Sequence, residues 1–138
     1  MGNKPSEKDI LYTALFVVDP EKLISKFAPK HSKVFAHHST IEFKPASLKG
    51  IEVGKLVKIK IIGRAFDENG DALLVENAKS KNKYPHITIS CAENIPPTYS
   101  NELLEKASKN GTLEMLKEPF FVEATEGYSD SAGNVVLS

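Results

Sequence analysis

Two short segments of this 138-residue chain carry side chains suited to acid–base chemistry on a phosphate. His38-Ser39-Thr40-Ile41 and His86-Ile87-Thr88-Ile89 each set an imidazole and a hydroxyl two residues apart. Side chains alternate faces along a strand, so His38 and Thr40 share one face, as do His86 and Thr88. The ordinary pKa of imidazole permits either protonation state near neutrality. One histidine can therefore take a proton from an attacking water while the other, charged, donates to the leaving oxygen. The two threonine hydroxyls can donate to non-bridging phosphate oxygens and hold them in line. Such a scheme calls for no metal and no cofactor, because imidazolium and hydroxyl supply the charge stabilisation. A single His-x-Thr strand is commonplace. Two in one small chain point to a shared site.

For these groups to meet, the chain must bring distant strands together. Ile10 to Val18 is almost continuously apolar and reads as a strand covered on both faces. Asp19-Pro20 opens a helix carrying Leu23, Ile24 and Phe27, which Pro29 stops. Val34 to Phe43 reads as one strand. Its odd face, which includes His37 and Ile41, turns to the core, making His37 a partly buried structural histidine and leaving His38 and Thr40 on the open side. Lys55 to Phe66 pairs with Ala72 to Glu76 through Asp67-Glu68-Asn69-Gly70, where Asn-Gly suits positive φ. Lys58, Lys60 and Arg64 share a strand face whose ordinary role is to meet solvent. Beyond the His86 strand, a Pro96-Pro97 loop leads to a helix from about Asn101 to Asn110, with Ser100 as N-cap and Gly111 as stop. The tail offers strands near Phe120 to Thr125 and Asn134 to Leu137, joined by Gly127 to Gly133. About seven strands and two helices make an α+β domain rather than a doubly wound parallel sheet.

Composition narrows the partners. The length suits one domain, residues 10–138, behind a disordered leader, 1–9. Eighteen basic and eighteen acidic residues cancel, so a nucleic-acid contact has to be local. A lone cysteine, Cys91, excludes an intramolecular disulfide and reads as a buried packing thiol. With His31, His37, His38 and His86 it forms no zinc-ligand spacing. No signal or membrane-span pattern is present, and a cytoplasmic monomer is the expectation. Met1-Gly2-Asn3-Lys4-Pro5-Ser6 fits myristoylation of Gly2, or matches that pattern by chance; one acyl chain gives only marginal membrane attachment. Gly50 to Leu56 falls short of a phosphate-binding Walker loop. Tyr12, Tyr84 and Tyr99 are candidates for stacking on a base, or simply bridge core and solvent.

Two His-x-Thr strands in a small α+β chain resemble the two-histidine (2H) phosphoesterase superfamily. The segments AHHSTIEF and YPHITIS carry the likeness, and PHITISCAENIPPTYSNELL is similar to the branch found as the cyclic phosphodiesterase domain of fungal-type tRNA ligases. The resemblance implies a bilobed fold in which antiparallel sheets form a central groove with two main helices. It implies His38 and His86 as the catalytic pair and Thr40 and Thr88 as phosphate ligands. It further implies metal-independent hydrolysis of a nucleoside or RNA-terminal 2′,3′-cyclic phosphate, in that branch to a 2′-phosphate. The motifs lie only 48 positions apart, so one lobe must be compact. Two other activities fit the same residues: a non-catalytic nucleotide- or RNA-binding module, and 2′,5′ RNA ligation.

Overall fold

The computed structural model describes residues 9–138, so Gly2 and nearly all of the expected leader lie outside the described residues. Eight strands and two helices follow in the order β1 (Ile10–Val17), α1 (Pro20–Lys26), β2 (Lys33–Val34), β3 (His38–Phe43), β4 (Leu56–Phe66), β5 (Gly70–Glu76), β6 (His86–Cys91), α2 (Tyr99–Asn110), β7 (Glu114–Asp130) and β8 (Val135–Val136). Among the described residues all strands join one antiparallel sheet, ordered β2-β6-β5-β4-β7-β1-β3, with β8 on β7. The domain is therefore α+β, as the alternation of strands and capped helices suggests.

Alternation along the strands sorts apolar side chains to two cores. On one face Leu15, Ile41, Ile59, Leu73, Ile87 and Ile89 pack with Leu23 and Phe27 of the α1 region. On the other, Ala72 and Leu74 of β5 meet Leu103, Leu104 and Ala107 of α2. Leu73 and its neighbours 72 and 74 thus serve opposite cores, as a period of two requires. His86 and Thr88 share the α2 face, because Ile87 and Ile89 take the other. Cys91 is buried, as expected of a packing thiol.

Several local expectations change. Val34 to Phe43 is not one strand: Ala36 adopts φ +60°, a conformation that only a minority of non-glycine residues take. The chain breaks between β2 and β3, and His37 emerges exposed instead of partly buried. The break is fastened at both sides, Ala36 N–H donating to the Thr88 carbonyl and Val17 N–H to that of His37. Asn69 and Gly70 do not take positive φ. Gly70 is required for another reason, since a Cβ there would lie 2.7 Å from the Tyr99 ring. Ser100 is not the cap of α2; Thr98 is, and Ser100 is buried inside the first turn. The tail is one 17-residue strand where a short strand and a loop were expected. Pro119 signals a break, but it falls where the pairing with β4 is already interrupted, between Phe120 and Met115. Gly127 signals a turn, yet it stays in the strand because the β8 chain crosses there; a Cβ would lie 2.3 Å from the Val136 carbonyl oxygen.

Candidate active site

The sheet curls enough to bring β3, at one end of its order, against β6, near the other. Backbone bonds bind this seam: Phe35 N–H donates to the Ile89 carbonyl and Ala36 N–H to that of Thr88, while Lys81 N–H reaches the Ile41 carbonyl. The His-x-Thr strands consequently approach side by side. On the α2 side of the seam lies a cleft of about 270 Å³, and His38, Thr40, His86 and Thr88 all line it.

The β6 wall is held by hydrogen bonds. His86 Nδ1 lies 2.8 Å from the Tyr84 carbonyl oxygen. A carbonyl only accepts, so Nδ1 carries the proton and the Nε2 lone pair is left for the cleft. Burial lowers the His86 pKa, and the bond to Tyr84 pulls the other way. Thr88 Oγ1 donates to the Pro97 carbonyl at 3.3 Å and sits 2.8 Å from Ser100 Oγ. With the one threonine proton directed at Pro97, Ser100 is the donor of the shorter bond. Further along β6, Ser90 donates to Asp71 (2.9 Å), a fully buried carboxylate that also accepts from Arg64 Nε (3.0 Å) and Lys30 N–H (3.0 Å).

The β3 wall is held by rings. His38 Nδ1 is buried and has no hydrogen-bond partner among the described residues. Tyr12 stacks on the imidazole at 4.7 Å between centroids and 21° between planes, and Phe16 lies at 5.6 Å. Burial, with smaller pushes from His37 and His86, lowers the His38 pKa to about 4. With Nδ1 shut in behind the rings, Nε2 is the nitrogen left to face the cleft. The two imidazoles are held differently: His86 by a hydrogen bond that leaves its Nε2 lone pair to the cleft, His38 by ring contacts that fix its plane.

The three candidate stacking tyrosines separate. Tyr12 lines the cleft, with one ring face given to His38. Tyr84 packs in the α2 core, and Tyr99 lies against Gly70 while its hydroxyl bonds Asp67; neither lines the cleft. The strand-face cations are not gathered there either: Arg64 pairs with Asp71 and Lys60 with Glu76. His31 is tied by Nε2 to the Asp67 carbonyl (2.8 Å). Sequence reasoning missed Phe43, Asn82, Thr98 and Asn101, all of which line the cleft. Strand parity puts Phe43 on the same face as Ile41, yet it is 61% exposed. Among the described residues no group of three or more His, Cys, Asp or Glu is placed to hold a metal ion.

A small α+β domain with two imidazoles and two hydroxyls around one cleft defines a class of candidate phosphate-handling proteins. The sequence of the chain places it further. Residues 25–124, most of its length, match the fungal tRNA ligase phosphodiesterase domain, and the chain belongs to that family. The match runs from within α1 into β7 and spans both His-x-Thr strands. It makes this a phosphoesterase-type domain. No curated protein matches the chain.

Proposed function

We propose that the chain hydrolyses a nucleoside or RNA-terminal 2′,3′-cyclic phosphate to a 2′-phosphate, with His86 as general base and His38 as general acid. The observation that carries the reading is two differently held imidazoles in one cleft, His86 with a fixed lone pair and His38 with no hydrogen bond to fix its tautomer among the described residues. His86 Nε2 takes a proton from the attacking water. The imidazolium that forms keeps its Nδ1–H on the Tyr84 carbonyl, a partner that favours the charged ring. His38 is neutral in the free protein, and the negative charge of a bound phosphodiester favours its protonation. From Nε2 it then delivers a proton to the 3′ oxygen as the P–O3′ bond breaks, leaving phosphate on the 2′ oxygen. The Thr40 and Thr88 hydroxyls hold the non-bridging oxygens. For Thr88 this means turning its proton from the long Pro97 bond to the anion while still accepting from Ser100. The exposed Phe43 ring at the rim gives the base a stacking surface.

The test is product release from a nucleoside 2′,3′-cyclic phosphate by the unaltered protein, His38→Ala and His86→Ala. Each variant should lose about 10²–10⁴-fold in kcat with the fold retained. Rates that do not change would retire the mechanism. Binding of the cyclic nucleotide without turnover by the unaltered protein would make this a nucleotide-binding module.

A further inference from the structure

A histidine that shuttles protons usually has its second ring nitrogen bonded to an acceptor, which fixes both tautomer and orientation. His86 follows that pattern through Tyr84. His38 does not, for its Nδ1 is buried without a partner among the described residues. Something else must stop the ring from turning about χ2, a torsion that is broad for aromatic side chains.

We propose that Tyr12 is a positioning residue for His38, its ring face serving in place of the missing hydrogen-bond acceptor. This rests on the reading of His38 as the acid, and adds to it the means by which that acid is aimed. The Tyr12 ring lies nearly parallel to the imidazole at 4.7 Å, with Phe16 behind both, 6.0 Å from Tyr12 and 5.6 Å from His38. Rotation of His38 would drive its edge into these rings. The register that allows this is a property of β1 and β3, which pair with a shift between Thr13 and Ala14.

Three consequences follow from using a ring instead of a hydrogen bond. An aromatic face accommodates both neutral and charged imidazole. A face offers no acceptor for Nδ1–H, so protons enter and leave His38 only through Nε2, from the cleft. The apolar wall also resists charging until an anion arrives, which ties the acid form to occupancy. The titratable groups facing His38 are Tyr12 from β1, His37 from the preceding loop and His86 from β6. None is an anion near neutral pH, since burial also raises the Tyr12 phenol. No carboxylate among these competes with the phosphate for the His38 proton.

The experiment compares Tyr12→Phe with Tyr12→Leu in the full chain, by histidine NMR titration and by turnover of a 2′,3′-cyclic nucleotide. Tyr12→Phe keeps the face and should hold kcat within about 2-fold, with His38 titrating where it does in the unaltered protein. Tyr12→Leu should lower kcat about 10–100-fold with little change in KM, the effect of a misaimed group. In that variant His38 also loses the ring-current displacement of its ring protons. Unaltered His38 resonances and kcat in Tyr12→Leu would overturn the proposal, as would an equal loss in Tyr12→Phe. If Tyr12→Leu does not fold, ring-to-ring nuclear Overhauser contacts between Tyr12 and His38 in the unaltered protein decide the matter, their absence overturning it. The spectroscopic arms need no substrate. They fail only if the stack is absent, whereas lack of turnover in the unaltered protein counts against the phosphodiesterase reading alone.

Discussion

The His86 wall of the cleft is built from hydrogen bonds and the His38 wall from stacked rings. On β6 the polar side chains form a chain of partners: His86 to Tyr84, Thr88 to Pro97 and Ser100, Ser90 to Asp71 and thence to Arg64. On β3 the histidine has no such partner, and aromatic side chains from β1 pack against it. Hydrogen bonds are directional, so the first wall fixes a tautomer and a lone pair. Ring contacts fix a plane but not a proton. The roles proposed for the two rings, a base with a fixed lone pair and an acid that gains and loses charge, match this division.

Asp71→Ala should break the polar wall most. The carboxylate is fully buried and pairs with Arg64, and removing one partner of a buried pair costs about 3–5 kcal/mol. Chemical denaturation measures this, and a loss under about 1 kcal/mol would mean that the β6 wall owes little to its polar network. Ser100→Ala is a milder probe. It removes the donor to Thr88 and should cost about 1–3 kcal/mol while leaving the Tyr12–His38 stack intact. NMR of the His38 ring checks that separation, and a displaced His38 would show that the walls are coupled.

The smallest effect concerns pH. Burial lowers both imidazoles, so in the free protein the form proposed as active, His38 charged and His86 neutral, is most populated below the ordinary imidazole pKa of about 6.5. The profile of kcat/KM, which reports the free protein, should accordingly be a bell with its maximum on the acid side of pH 6.5. The kcat maximum should lie higher, by about a unit or more, because the bound anion raises the acid. Coincident maxima would show that substrate charge does not set the state of His38.

What was legible in the sequence is what local physics decides. Alternation placed His86 and Thr88 opposite Ile87 and Ile89, and the apolar run at β1, the Pro20 start of α1 and the Gly111 stop of α2 all appear in the structure. Face-sharing of His38 with Thr40 depends on neighbours two apart, so it survived the mistaken view of Val34 to Phe43 as one strand. Long-range packing overrode the local signals elsewhere. Gly127 and Pro119 are breakers by residue type, but β7 continues past both because of what β8 and β4 do opposite them.

The pairing of each imidazole with a hydroxyl was therefore written in the chain, since side chains two residues apart on a strand must share a face. The identity of each partner was not. Which ring covers Tyr12, which oxygen accepts from His86, and why Nδ1 of His38 is left bare depend on strands up to dozens of residues away meeting in one register. Periodicity fixes the direction in which a side chain points; only the closed sheet supplies what it meets there.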